Sequence, residues 1–169
     1  MSAATIETIR IRTSGGLRLA CDIVGRDGPL APVLFLHGGG QTRHSWGSTA
    51  SQIAASGHEC WSIDLRGHGE SDWAPDGDYR TEAMVEDLGA ILAQIGRPPV
   101  LVGASMGGLV GLMSEGRLRP GRLRGLVLVD IATQLEAEGV ERIVSFMSAA
   151  PNGFATLEDA ADTIAAYRN

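Results

Sequence analysis

Apolar residues along this chain recur with two different periods, and the switches between them mark the elements. Thr5–Thr13 carries Ile6, Ile9 and Ile11 in imperfect alternation with polar residues, which predicts a strand. Ser14-Gly15-Gly16 is a turn and Leu17–Val24 a second strand, so the two form an antiparallel hairpin. After a Gly- and Pro-containing loop, Val33-Leu34-Phe35-Leu36 is continuously apolar, as expected of a central parallel strand covered on both faces. Trp46–Ala55 predicts a helix closed by Gly57, and Cys60–Ile63 the next strand. Asp72–Asp78 is a loop broken by Pro75 and Gly77. Thr81 is expected to cap an amphipathic helix with Glu82 in its first turn and Met84, Leu88, Ile91, Leu92 and Ile95 on one face. Gly96 ends that helix. Val100-Leu101-Val102 then predicts a buried strand, followed after a sharp turn by a helix containing Leu109, Val110, Leu112 and Met113. Leu126–Val129 is expected to be another buried strand, ending at Asp130. From there the alternation stops: Leu135–Met147 and Leu157–Tyr167 both read as helices, the second with a Thr156-x-x-Asp159 capping box.

The order is hairpin, then β-α-β-α-β-α-β. It predicts an α/β fold: a doubly wound, mostly parallel sheet with an N-terminal antiparallel hairpin and helices on both faces. Residues 1–130 form the core, and 131–169 a helical appendix. Ligands of such sheets bind at the carboxyl ends of the strands. His37–Gln41, Asp64–Ser71, Ser105 and Asp130 all fall on that rim.

Composition narrows the chemistry. All 14 basic residues are Arg, which removes lysine Schiff-base chemistry and the lysine phosphate loop. The net charge of −6 argues against nucleic acid as the main partner. Arg117, Arg119, Arg122 and Arg124 read as a solvated loop after a helix. Cys21 and Cys60 form no C-x-x-C and are expected reduced and buried. No secretory signal pattern or long apolar run is present, so a cytoplasmic protein without a membrane partner is expected. The histidines have no ligand spacing with a third donor, and the glycines do not fit G-x-G-x-x-G, so neither a metal nor a cofactor is expected.

The candidate chemistry lies in Gly103-Ala104-Ser105-Met106-Gly107, a Gly-x-Ser-x-Gly between a strand and a helix. A serine at the tip of such a turn projects its oxygen from the sheet, and the helix N-terminus beneath it can receive negative charge. The competing reading is a tight turn in which Ser105 merely caps the helix. Gly38-Gly39-Gly40, just past a strand end, lets backbone N–H groups face a ligand. Trp46 either lines the pocket or packs in the core. His37 is expected to tie the glycine loop down, His68 to be structural, and His44 and His58 to lie on the surface.

With LFLHGGG (34–40), DLRGHGES (64–71), GASMGG (103–108) and LVLVD (126–130) in this order, the chain resembles the α/β-hydrolase superfamily from about Ile6 to Asp130. The resemblance implies that Ser105 is a nucleophile and that the backbone N–H groups of Gly39 and Met106 form the oxyanion hole. Some members place the triad acid at the position of Asp130, whose other reading is a cap on the next segment. Residues 131–169 resemble the start of a helical lid. Members that open epoxides or displace halides use aspartate as nucleophile, and the serine argues against those reactions. The implied function is hydrolysis of a small carboxylic ester, thioester or amide through an acyl-enzyme. The alternatives are an acyltransferase on the same scaffold or a non-catalytic binding protein.

One departure is informative. The superfamily's triad runs Ser, acid, His, whereas His37, His44, His58 and His68 all precede Ser105. The sequence therefore reads as the N-terminal part of a hydrolase. Alone, it is expected to be a poor hydrolase, and to self-associate through an exposed strand at 126–129.

Overall fold

A computed structural model describes residues 5–118, 120–131 and 137–168. The chain divides into two compact units, Met1–Ile131 and Ala132–Asn169. The first holds six strands, β1 (Ile6–Arg12), β2 (Arg18–Val24), β3 (Val33–Leu36), β4 (Cys60–Ile63), β5 (Val100–Ala104) and β6 (Gly125–Val129), in the spatial order β1-β2-β4-β3-β5-β6. β1 and β2 pair antiparallel, β2 meets β4 antiparallel, and β4-β3-β5-β6 are parallel. The hairpin and the parallel core are those the pattern predicts. Three helices accompany them: α1 (Gly47–Ala54), α2 (Thr81–Ile95) and α3 (Met106–Met113).

Strand alternation sorts the side chains onto two faces. Leu19, Cys21, Ile23, Leu34, Leu36, Trp61, Ile63 and Leu101 pack on one side with Met84, Leu88, Ile91, Leu92 and Ile95 of α2 and Val110 of α3. Val24, Val33, Phe35 and Cys60 pack on the other with Ala50 of α1. Both cysteines are buried and unpaired. Burial raises both thiols, that of Cys60 to about 11, so they are held protonated and unreactive.

Three expectations need correction. Thr81 is the first residue of α2 and not its cap; Arg80 flanks the helix in an extended conformation without a side-chain cap. The reason is local: the Asp78 carboxylate accepts the Arg80 N–H at 3.1 Å and pairs with its guanidinium at 2.8 Å, which fixes the chain one residue earlier. Trp46 ends a 3₁₀ turn, Arg43–Trp46, that precedes α1. β6 is not a buried strand. Phe35, Val102 and Val127 are consecutive neighbours on the α1 face, and cover falls from buried to half-buried to 45% exposed. Val129 is 37% exposed, and β6 forms the edge of the sheet.

In the second unit, α4 (Ala137–Ser148) and α5 (Leu157–Arg168) are helices. The predicted helix start at Leu135 lies outside the described residues. The capping box is present: Thr156 Oγ1 accepts the Asp159 N–H at 3.1 Å while Asp159 Oδ2 accepts the Thr156 N–H at 3.2 Å.

Candidate active site

Ser105 sits between β5 and α3 with φ 43° and ψ −110°, a left-handed backbone that L residues rarely adopt. Such strain costs on the order of 1–3 kcal/mol and persists only where the surroundings enforce it. They do. A Cβ on Gly107 would lie 2.6 Å from Leu36, and one on Gly103 would lie 2.6 Å from the Gly107 backbone, so strand and helix approach as closely as bare backbone permits. The Ser105 N–H donates to the Val129 carbonyl at 3.0 Å, and the Gly107 N–H to the His37 carbonyl at 3.2 Å. The Ser105 side chain makes no capping hydrogen bond and the residue is exposed. The cap reading of Ser105 therefore does not describe this turn.

The glycine loop passes beside it: a Cβ on Gly38 would lie 3.5 Å from that of Ser105. Inside the loop, several polar backbone groups have partners. The Gly38 N–H donates to Gln41 Oε1 at 3.0 Å, and the Gly38 carbonyl accepts the Gln41 N–H at 3.1 Å. The Gly40 N–H donates to His68 Nε2 at 3.3 Å. The N–H groups of Gly39 and Met106 make no hydrogen bond among the described residues.

His37 is fully buried. Its Nε2 accepts the Leu65 N–H at 3.0 Å, which leaves Nδ1–H to donate to the Gly38 carbonyl at 2.7 Å. It ties the loop down, as expected from its place at the strand end. Burial lowers its pKa below the ordinary value of 6.5, against an opposing contribution from the Gly38 carbonyl, so the ring is held neutral near pH 7.

The segment Asp64–Ser71 braces this rim through contacts that pattern reading does not reveal. Asp64 is fully buried. Burial alone would raise its carboxyl, but the Arg43 and Glu70 N–H groups and the Arg43 guanidinium outweigh it and hold the carboxyl below its usual range. The Arg43 N–H reaches Asp64 Oδ1 at 2.6 Å and Nη1 reaches Oδ2 at 2.5 Å. Arg66 holds Asp87 of α2 with two bonds, 2.6 and 2.8 Å, and donates to the carbonyls of Asp78 and Ala83. The sequence contains a signal for this: charged residues inside otherwise apolar surroundings, with Asp87 on the buried side of α2.

The other candidates are placed as follows. Asp130 ends β6 one residue after the carbonyl that receives the Ser105 N–H; it is exposed and has φ 53°. The Trp46 ring centroid lies 5.2 Å from that of Phe35, against the α1-side core, and its buried Nε1 has no partner among the described residues. His44 is exposed, as expected, but His58 is half-buried and bonds the Ala31 carbonyl at 2.7 Å. Of the expected arginine loop, the Arg117 backbone instead belongs to a π-helical turn, Ser114–Leu118, that continues α3, while its side chain and Arg119 lie outside the described residues. Among the described residues no group of three or more His, Cys, Asp or Glu side chains converges to hold a metal ion.

Comparison with known proteins gives the family. The family model for the alpha/beta hydrolase fold matches residues 31–166. Protein phosphatase methylesterase 1 of Mus musculus is 31% identical over 141 residues, covering 80% of this chain and 36% of that protein. An esterase of Mycobacterium tuberculosis is 38% identical over 118 residues, covering 67% of this chain and 38% of that protein. The crystal structure of an α/β hydrolase from Novosphingobium aromaticivorans superposes with a TM-score of 0.75 at 32% identity, over 84% of this chain and 50% of that one. The chain thus spans a little over a third of the length of these curated relatives.

Proposed function

The chain belongs to the α/β-hydrolase family, and from that premise we propose that it carries the nucleophile side of a serine esterase site. One observation carries the reading: an exposed serine, strained and uncapped at the strand–helix junction, lies beside a glycine loop whose Gly39 N–H has no partner among the described residues. Ser105 Oγ attacks the carbonyl carbon of a small carboxylic ester and forms a tetrahedral intermediate. The N–H groups of Gly39 and Met106 stabilise its oxyanion, a contribution worth roughly 100- to 1,000-fold per donor. The serine proton passes to an imidazole and from there to the leaving alcohol, and water then hydrolyses the acyl-enzyme. None of the four histidines follows Ser105, so we assign the base to sequence beyond these residues, with Asp130 the acid candidate in this chain. The esterase names of the relatives support the choice of ester. We assign α4 and α5 to a lid, which suits a helix with Val140, Ile143, Val144 and Met147 all exposed. The free thiols suit a cytoplasmic setting.

The test is fluorophosphonate labelling and short-chain ester turnover in the gene's full-length product. Ser105 should take the label, and Ser105→Ala should lose turnover by at least about 10⁴-fold. A label on another serine, or equal turnover in the variant, refutes the reading. The 169 residues alone should show negligible turnover, and should run larger than a monomer by light scattering because β6 offers open hydrogen-bonding groups between exposed valines. Val127→Lys should shift that population toward monomer; a wild-type chain that is already monomeric removes the self-association.

A further inference from the structure

The glycine loop is met from outside by one short turn, Leu65–Gly69, whose His68 contacts the Gly40 N–H. His68 is half-buried, and both of its ring nitrogens are engaged. Nδ1 faces the Arg66 carbonyl at 3.0 Å and therefore carries the proton; Nε2 accepts the Gly40 N–H at 3.3 Å. The ring centroid lies 4.9 Å from that of His37, whose own Nδ1–H holds the Gly38 carbonyl. Two histidines thus grip the peptide units on either side of Gly39. The grip has a rigid origin, because Arg66 is buried and clamped to Asp87, Asp78 and Ala83.

We propose that His68 is a positioning residue for the reaction: by accepting the Gly40 N–H it turns the loop so that the Gly39 N–H remains available to the oxyanion. This rests on the reading of Gly39 as an oxyanion donor. It also separates His68 from the role of base, since its Nε2 lone pair is already occupied by a backbone N–H. Chemistry that depends on the position of one donor is sensitive to displacements of about 1 Å, which typically cost up to about 100-fold. The consequence falls on the transition state, because the carbonyl oxygen gains full charge only there, so kcat and not KM carries the effect.

The two side-chain amides separate the ring's two bonds. In His68→Gln the side-chain oxygen reaches the position of Nε2 and can accept the Gly40 N–H. In His68→Asn the amide reaches only the position of Nδ1 and leaves the Gly40 N–H without an acceptor. In the gene's full-length product, His68→Asn should lower kcat for a short-chain ester by 10- to 100-fold with KM within about threefold, while His68→Gln restores kcat to within about threefold of wild type. Hydrogen exchange followed by mass spectrometry should show faster exchange of the peptide containing Gly39 and Gly40 in His68→Asn, and near-wild-type exchange in His68→Gln. Equal loss in both variants overturns the positioning role and makes His68 a direct participant. Unchanged exchange in His68→Asn overturns the clamp itself, and this measurement needs no activity. A wild-type protein without Ser105-dependent turnover defeats the esterase reading, and the exchange data still decide whether His68 holds the loop.

Discussion

Residues 37–43 and residues 103–108 meet beside Ser105, yet their backbones are fixed by different forces. The first stretch is held by polar side chains: His37, His68, Gln41 and Asp64 each bond a named backbone group in it. The second is held by the absence of side chains. Gly103 and Gly107 let β5 and α3 touch backbone to backbone, and two backbone hydrogen bonds lock the turn to His37, just past β3, and to Val129 of β6. A polar brace can be reproduced by another group that donates or accepts at the same point. A steric approach has no substitute, because any Cβ removes it. The glycine loop is therefore tunable, and the turn that strains Ser105 is not.

The largest effect should come from the polar side. Asp64→Ala leaves the buried Arg43 guanidinium without its main partner and the Arg43 and Glu70 N–H groups without an acceptor. Breaking such a buried pair costs about 3–5 kcal/mol, which a urea unfolding midpoint will show. A loss under about 1 kcal/mol would mean that solvent replaces the brace and that the contrast is overstated.

Next come two glycines that test the contrast directly. Gly107→Ala drives a methyl into Leu36 and should cost about 1–3 kcal/mol, with loss of Ser105 labelling as the turn opens. Gly38→Ala brings its methyl 3.1 Å from Gln41 Oε1, a side-chain end that can give by a few tenths of an ångström, and to ordinary contact with Ser105 Cβ at 3.5 Å, and Gly38 has no positive φ. The lower entropy of its unfolded chain offsets that contact, so stability should stay within about 1 kcal/mol of wild type. Equal effects at the two positions would erase the distinction between loop and turn.

The smallest effect is one of pH. His37 has a folded pKa below its ordinary 6.5, so the unfolded chain takes up the proton first. Its contribution to stability is complete above 6.5 and is lost as pH falls from there toward the folded value. Asp64, lowered from 3.8, likewise stabilises above that value and loses its contribution as pH falls through the lowered one. Unfolding free energy should thus decline in two windows. His37→Asn should flatten the upper window and leave the lower one; an unchanged upper slope would assign it to other groups.

The succession of elements along the chain, the Ser105 turn and the glycine loop were legible because each depends on local rules. Four consecutive apolar residues at 33–36 and a 3.6-residue stripe at 84–95 identify a strand and a helix by their own period. The exposed edge at β6 was legible from its missing partner strand, but the loss of cover on its α1 face was not. Val127 and Val129 have the same side chain as the buried Val33, and what differs is that α1 lies over the middle of the sheet and not its edge. The start of α2 moved by one residue because Asp78, three residues upstream of Thr81, folds back on Arg80.

By itself the sequence determined a mostly parallel α/β sheet with a serine on a glycine-flanked turn at the carboxyl ends of its strands, since periodicity and the steric demands of glycine act over a few residues. Only the tertiary structure decided which partner each polar group takes. Asp64 meets Arg43 from 21 residues away, His68 meets Gly40 from 28, and Arg66 meets Asp87 from 21. A hydrogen bond is set by distances of about 3 Å and by angle, and those are fixed by how the sheet and helices pack rather than by spacing along the chain.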